Sequence, residues 1–160
     1  LDAHNDLSVH LTDIEISNSL CWSPDSQFMY HCDTTKQTIR RYEFDPVTAK
    51  IGKGIDFAST ESHCFPDGSI IDSDGFLLNA QWGGSKVVRY KPNGCVDTEL
   101  VMPVSQPTCV AIGGPNNDLL FVTSAKEGLT NSEPHAGDLF IYKTNLMGLP
   151  EMRYQEKGHV

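Results

Sequence analysis

Asn18, Asp67 and Thr108 stand at the same place in three copies of one pattern. Each opens a stretch with a short apolar run, a turn rich in Gly, Pro, Asp or Asn, and a second apolar run: residues 18–33, 67–82 and 108–125. Asn18 and Asp67 are 49 residues apart, and Asp67 and Thr108 are 41 apart. An Asn amide and an Asp carboxylate are hard oxygen donors that suit Ca2+ first, then Mg2+ or Mn2+, and Zn2+ also accepts carboxylate oxygen. Brought together, Asn18 and Asp67 are candidate ligands of one divalent cation. Asp67 is also the candidate catalytic carboxylate, placed to take a proton from water. A second reading stands beside this one, because Asn and Asp at a strand start often bond nearby backbone amides and merely cap a turn. Thr108 reads as a structural or channel-lining hydroxyl.

Repeated antiparallel strands would supply the convergence. The runs QFMYHCD, TIRRYEFD, GSIID, FLLNAQW, KVVRYK, CVAIGG, LLFVTSA and DLFIYKT are rich in strand formers, and Asp-Pro, Pro-Asp, Asp-Gly, Asn-Gly and Gly-Pro pairs punctuate them. No stretch keeps a helical period. A repeat of about 40–50 residues built from short strands marks propeller blades. The innermost strand of each blade lines a central channel, so equivalent residues at the starts of those strands become neighbours. Segments 46–66 and 91–107 are expected to carry the outer strands. Trp82 and His31 are further candidates for lining the channel or facing substrate, although packing is the simpler role for both. His63-Cys64 lies in a loop just ahead of Asp67, and Gly83-Gly84 reads as a tight turn.

Composition narrows the partners. The chain has 160 residues and a formal net charge of −9, a balance that disfavours nucleic acid. No apolar run reaches the roughly 20 residues of a membrane span. The five cysteines form no Cys-x-x-Cys pair and read as reduced, mostly buried thiols of a cytoplasmic protein. There is no Gly-x-Ser-x-Gly, no nucleophile triad and no nucleotide-binding loop.

The wording of the repeats resembles the family of SMP-30 (regucalcin), gluconolactonases and related sugar lactonases. The resemblance is carried by Ile16-Ser17-Asn18-Ser19-Leu20-Cys21-Trp22-Ser23-Pro24-Asp25, Tyr42-Glu43-Phe44-Asp45, Pro66-Asp67-Gly68-Ser69, Trp82-Gly83-Gly84-Ser85-Lys86-Val87-Val88-Arg89-Tyr90 and Gly137-Asp138-Leu139-Phe140. Ser19 stands where the family pattern has Gly, and Ser69 where it has Leu or Met. The resemblance implies an all-β, six-bladed β-propeller with one divalent metal and hydrolysis of sugar lactones. It matches Asn18 and Asp67 to metal ligands and Asp67 to the acid/base carboxylate. The third family ligand, a Glu in the first blade, has no counterpart here.

The expectation is therefore a partial propeller of about three to four blades, the C-terminal part of a lactonase. Blades are expected over 16–145, with an N-terminal tail or the end of a missing blade over 1–15 and a C-terminal tail or final strand over 146–160. Missing blades, or another copy of the chain, would cover the open edges. The alternative function is a non-catalytic propeller module that binds a metal or a sugar acid.

Overall fold

The computed structural model describes residues 8–150. Of the two expected end segments, residues 1–7 and 151–160 lie outside the described residues.

Among the described residues eleven strands form three antiparallel sheets. The first sheet is a meander of β1 (Ser17–Trp22), β2 (Phe28–Asp33), β3 (Thr38–Asp45) and β4 (Lys50–Ser59). The second repeats it with β5 (Phe65–Ile71), β6 (Leu77–Trp82), β7 (Lys86–Tyr90) and β8 (Val96–Val101). The third has β9 (Pro107–Gly113), β10 (Leu119–Ser124) and β11 (Leu139–Lys143). These are blades of a partial propeller. Among the described residues the one helical element is a 3-10 turn, Thr34–Lys36. The outer strands β4 and β8 fall in the two segments expected to hold them. Segment 126–138 runs without regular structure between β10 and β11. Beyond β11 the chain returns to the second blade, where Gly148 bridges Asp72.

Burial of apolar side chains stacks the blades. Cys21, Tyr30, Cys32, Ile39, Ile71, Leu77, Val88 and Tyr90 form the core between the first and second blades. Phe57 stands edge-on to Tyr30 and Tyr90 within it, an arrangement aromatic rings favour. Leu78, Ala80, Val87, Val110, Leu120 and Val122 form the core between the second and third. The second blade thus buries both faces, and β6 is buried from Leu77 through Gln81. In β10 Leu120 and Val122 are buried whereas Thr123 is exposed, so this strand is packed mainly on one face. Strand alternation sends successive side chains to opposite faces, and this is why Leu77 and Leu78 serve different cores.

Among the turn aspartates, Asp72 does more than shape its turn. Its Oδ1 accepts the Asp74 and Phe76 amides. Its Oδ2 accepts Arg89 Nη2 at 2.6 Å and Nε at 2.9 Å. Arg89 also bonds Asp97 and lies over the Phe76 ring.

Candidate metal and lactone site

The innermost strands share one irregularity. Between Asn18 and Cys21, β1 carries one residue more than β2. The same excess occurs in β5 between Pro66 and Ser69, and in β9 between Pro107 and Cys109. A bulge of this kind re-aims side chains and bends its strand. Asn18 opens the first bulge, Asp67 and Gly68 occupy the second, and Thr108 the third. By register Ser19, not Asn18, corresponds to Asp67, because Asn18 still pairs with Cys32 as Pro66 does with Gln81; the match expected from the repeat is offset by one residue in the first blade.

The first two bulges are bonded together. Thr34 Oγ1 accepts Asn18 Nδ2 at 3.0 Å and donates to Pro66 O at 2.9 Å, one residue before Asp67. Ser19 Oγ donates to Asp67 O at 2.7 Å. Ser69 Oγ donates to Ser19 Oγ, and Asn79 Nδ2 donates to Ser19 Oγ, Ser69 Oγ and Asp67 O. Ser19 has φ +58°, the left-handed region that favours glycine. The two serines that depart from the family pattern are thus partners in one cluster beneath the Asp67 backbone. Asn79 is fully buried, and among the described residues its Oδ1 has no partner.

Strands β5 and β9 meet almost backbone to backbone. A Cβ on Gly68 would lie 2.8 Å from Cys109 Cα, so only glycine fits. The Asp67 charge adds to the desolvation that pushes up the thiols of Cys32 in the first blade and Cys109 in the third. Elements of all three blades thus lie near this carboxylate.

Asp67 itself is half-buried. Desolvation pushes its pKa up to about 6, opposed only by the Gly68 amide. No described residue forms an ion pair with it. A partly desolvated carboxylate without a positive neighbour, on a bulge tied through Thr34 to that of Asn18, fits a hard divalent cation. Asn18 and Asp67 are the residues that would hold it.

The other expected residues are placed as follows. Thr108 Oγ1 shares a hydrogen bond with Thr123 Oγ1 at 2.7 Å. Trp82 stands edge-on to Phe65, its partner across β5 and β6, with ring centroids 5.9 Å apart. His31 alternates with Cys32, whose thiol points to Pro66 in the second blade. It therefore lies on the opposite face, where it bonds Ser17 Oγ and lines a groove with Thr12, Asp13 and Ile14. Burial pushes its pKa down. Of the five cysteines, all free, Cys21, Cys32 and Cys64 are buried while Cys95 and Cys109 are exposed.

Thr34 and Asn79 escaped sequence reasoning. A lone Asn inside the apolar run FLLNAQW was the available signal for the second. Thr34 gave none, since it sits in the turn after β2.

Comparison with known proteins agrees with this architecture. The sequence profile of the SMP-30/Gluconolactonase/LRE-like region matches residues 1–126. L-arabinolactonase of Azospirillum brasilense is 40% identical over 144 residues, covering 87% of this chain and 47% of that protein. The 6-deoxy-6-sulfogluconolactonase of Pseudomonas putida is 35% identical, covering 94% of this chain and 54% of its own length. Among solved structures, a calcium-binding protein, regucalcin, from Agrobacterium tumefaciens superposes with a TM-score of 0.87 at 34% identity, over 92% of this chain and 52% of that one. The chain spans about half the length of the curated relatives it matches. On the profile match and these identities, the chain belongs to the SMP-30/gluconolactonase/LRE-like family.

Proposed function

We propose that this chain is part of a divalent-metal-dependent sugar lactonase, with Asn18 and Asp67 among the metal ligands and Asp67 as general base. One observation carries the reading: Asp67 is a desolvated carboxylate with no positive partner, fixed by the bulge next to that of Asn18. Relatives named for arabinono-, sulfoglucono- and pentonolactones support a five- or six-carbon sugar lactone as substrate. When bound, a divalent cation supplies Lewis acidity toward a carbonyl oxygen and makes nearby water more acidic. Asp67 takes the proton of the attacking water. The water oxygen adds to the lactone carbonyl carbon, the ring C–O bond breaks, and Asp67 returns its proton to the departing ring oxygen, which becomes the hydroxyl of an open-chain acid. Thr108 and Trp82 belong to the channel wall in this reading. Ca2+ is the first candidate, since a neighbour in structure is described as calcium-binding.

The same reading places the protein in the cytoplasm, where five free thiols persist. Leu139 and Ile141, exposed on β11, are covered in the whole protein by a further blade or another copy. Hydrolysis of glucono-δ-lactone and of an arabinonolactone, with and without EDTA, tests the activity. Calcium binding by calorimetry tests the site. Metal-dependent turnover abolished by Asp67→Asn is the expected result. Binding without turnover in the whole protein favours the non-catalytic module, and neither binding nor turnover removes the reading.

A further inference from the structure

A second group of metal-binding side chains lies outside this site. The turn between β4 and β5 places a Glu61 carboxylate oxygen, a ring nitrogen of His63 and Cys64 Sγ all within 4.8 Å of one another. The turn is held firmly. Cys64 N–H donates to Glu61 O at 2.9 Å, and Gln37 Nε2 donates to Glu61 O and Cys64 O at 2.7 and 3.2 Å. Thr60 Oγ1 donates to Cys64 O as well. On the other side the Gly83-Gly84 turn fits closely, since a Cβ on Gly84 would lie 2.7 Å from Cys64 Sγ.

The Glu61 carboxylate is divided between two neighbours. Its Oε1 accepts Lys86 Nζ at 3.2 Å, while Oε2 faces His63 Nε2 at 3.9 Å. Lys86 is itself held by Glu99 at 3.0 Å. Partners of this kind orient ligating carboxylates. Burial pushes the Cys64 thiol up, so its proton leaves to water only as the metal binds; with Cys64 then a thiolate, Glu61 and Glu99 against Lys86 leave the cluster with two negative charges, matching a dication.

We propose that Glu61, His63 and Cys64 form a binding site for a zinc-class divalent cation, separate from the Asn18–Asp67 site. A mixed sulfur, nitrogen and oxygen donor set selects Zn2+ over Ca2+ or Mg2+. Zinc bonds of about 2.0–2.3 Å require these donors to draw in by roughly 1 Å, a movement open to the exposed Glu61 and His63 side chains. The fourth tetrahedral position falls to water or an outside ligand. Cys64 precedes Asp67 by three residues, about 10 Å along an extended strand, so one ion does not serve both.

Titration of the reduced, metal-stripped 160-residue chain with Co2+ tests this site without reference to lactone chemistry. One equivalent should bind with thiolate-to-cobalt charge-transfer absorption in the near ultraviolet, and Zn2+ should discharge it. Cys64→Ser should lose the band. His63→Ala, a change on the surface, should weaken Co2+ binding at least about tenfold. Asp67→Asn and Cys95→Ser should both keep the band. No band in the unaltered chain, a band surviving Cys64→Ser, or one lost with Cys95→Ser would overturn the site.

Discussion

Replacing Asp67 by Asn removes a charge and leaves the shape of the side chain almost unchanged. Calorimetry should show Ca2+ affinity reduced at least about tenfold, with the fold intact by circular dichroism. Acidity should act in two opposite directions. The folded-state pKa of about 6 exceeds the ordinary 3.8, so on acidification the folded chain takes up this proton before the unfolded chain does. The group therefore favours the folded, metal-free protein increasingly as pH falls from about 6 to about 4. Cation binding moves the other way and should weaken by up to about tenfold per pH unit below about 6. Urea titrations with EDTA and with Ca2+ at a series of pH values separate the two trends. Ser19 offers a second test. Ser19→Ala keeps the positive φ and strands the hydroxyl partners, so it should cost about 1–3 kcal/mol. Ser19→Gly relaxes the backbone and should cost less than about 1 kcal/mol. The repeat brought Asn18 and Asp67 to notice in the sequence, but not their one-residue offset in register, because a bulge leaves no mark on the apolar pattern. The Ser19–Ser69–Asn79 cluster was not legible either, since its members lie on three strands and only register brings them together.

Strands and turns carry the next set of expectations. Arg89 and Asp72 form an ion pair that is almost wholly inside the protein, the side chains being 14% and 1% exposed. Arg89→Met leaves the carboxylate buried and unpaired and should cost about 3–5 kcal/mol, as measured by urea unfolding. Adding Asp72→Asn should recover part of that loss, because the amide needs no countercharge. Gly68→Ala drives a Cβ into the Cys109 backbone and should cost about 1–3 kcal/mol through overpacking. Strands such as Thr38–Asp45 were plain in the sequence because β-branched and aromatic residues lie between strong turn signals. The outer strands were legible only by position. Lys50–Ser59 holds two glycines and two lysines, and Val96–Val101 two acidic residues, so neither reads as a buried strand. Their hydrogen bonds to β3 and β7 decide the matter instead.

Three blades stacked through two cores make the second blade the support of both neighbours. Leu77 and Leu78 are adjacent in sequence and belong to different cores. Each truncated to Ala should cost about 2–5 kcal/mol, yet the damage should spread in opposite directions. Amide exchange should rise in the first blade for Leu77→Ala and in the third for Leu78→Ala. A uniform rise in both variants would refute this division. The radial arrangement was legible from the repeat period alone, because a period of this length with antiparallel strands has few packed solutions. Which face of each blade each residue serves was not, since β6 is apolar or buried throughout and alternation leaves no mark on such a run.

The extra residue in each of β1, β5 and β9 divides these strands into two halves of opposite phase. Excising one residue at either of the first two bulges would leave a continuous ladder and an intact apolar half. The polar half would turn by one step, carrying Asn18 or Asp67 to the other side of its blade. The side of the blade on which Asn18 or Asp67 stands is thus encoded in a difference of strand length, which evolution can add or delete without redesigning the scaffold.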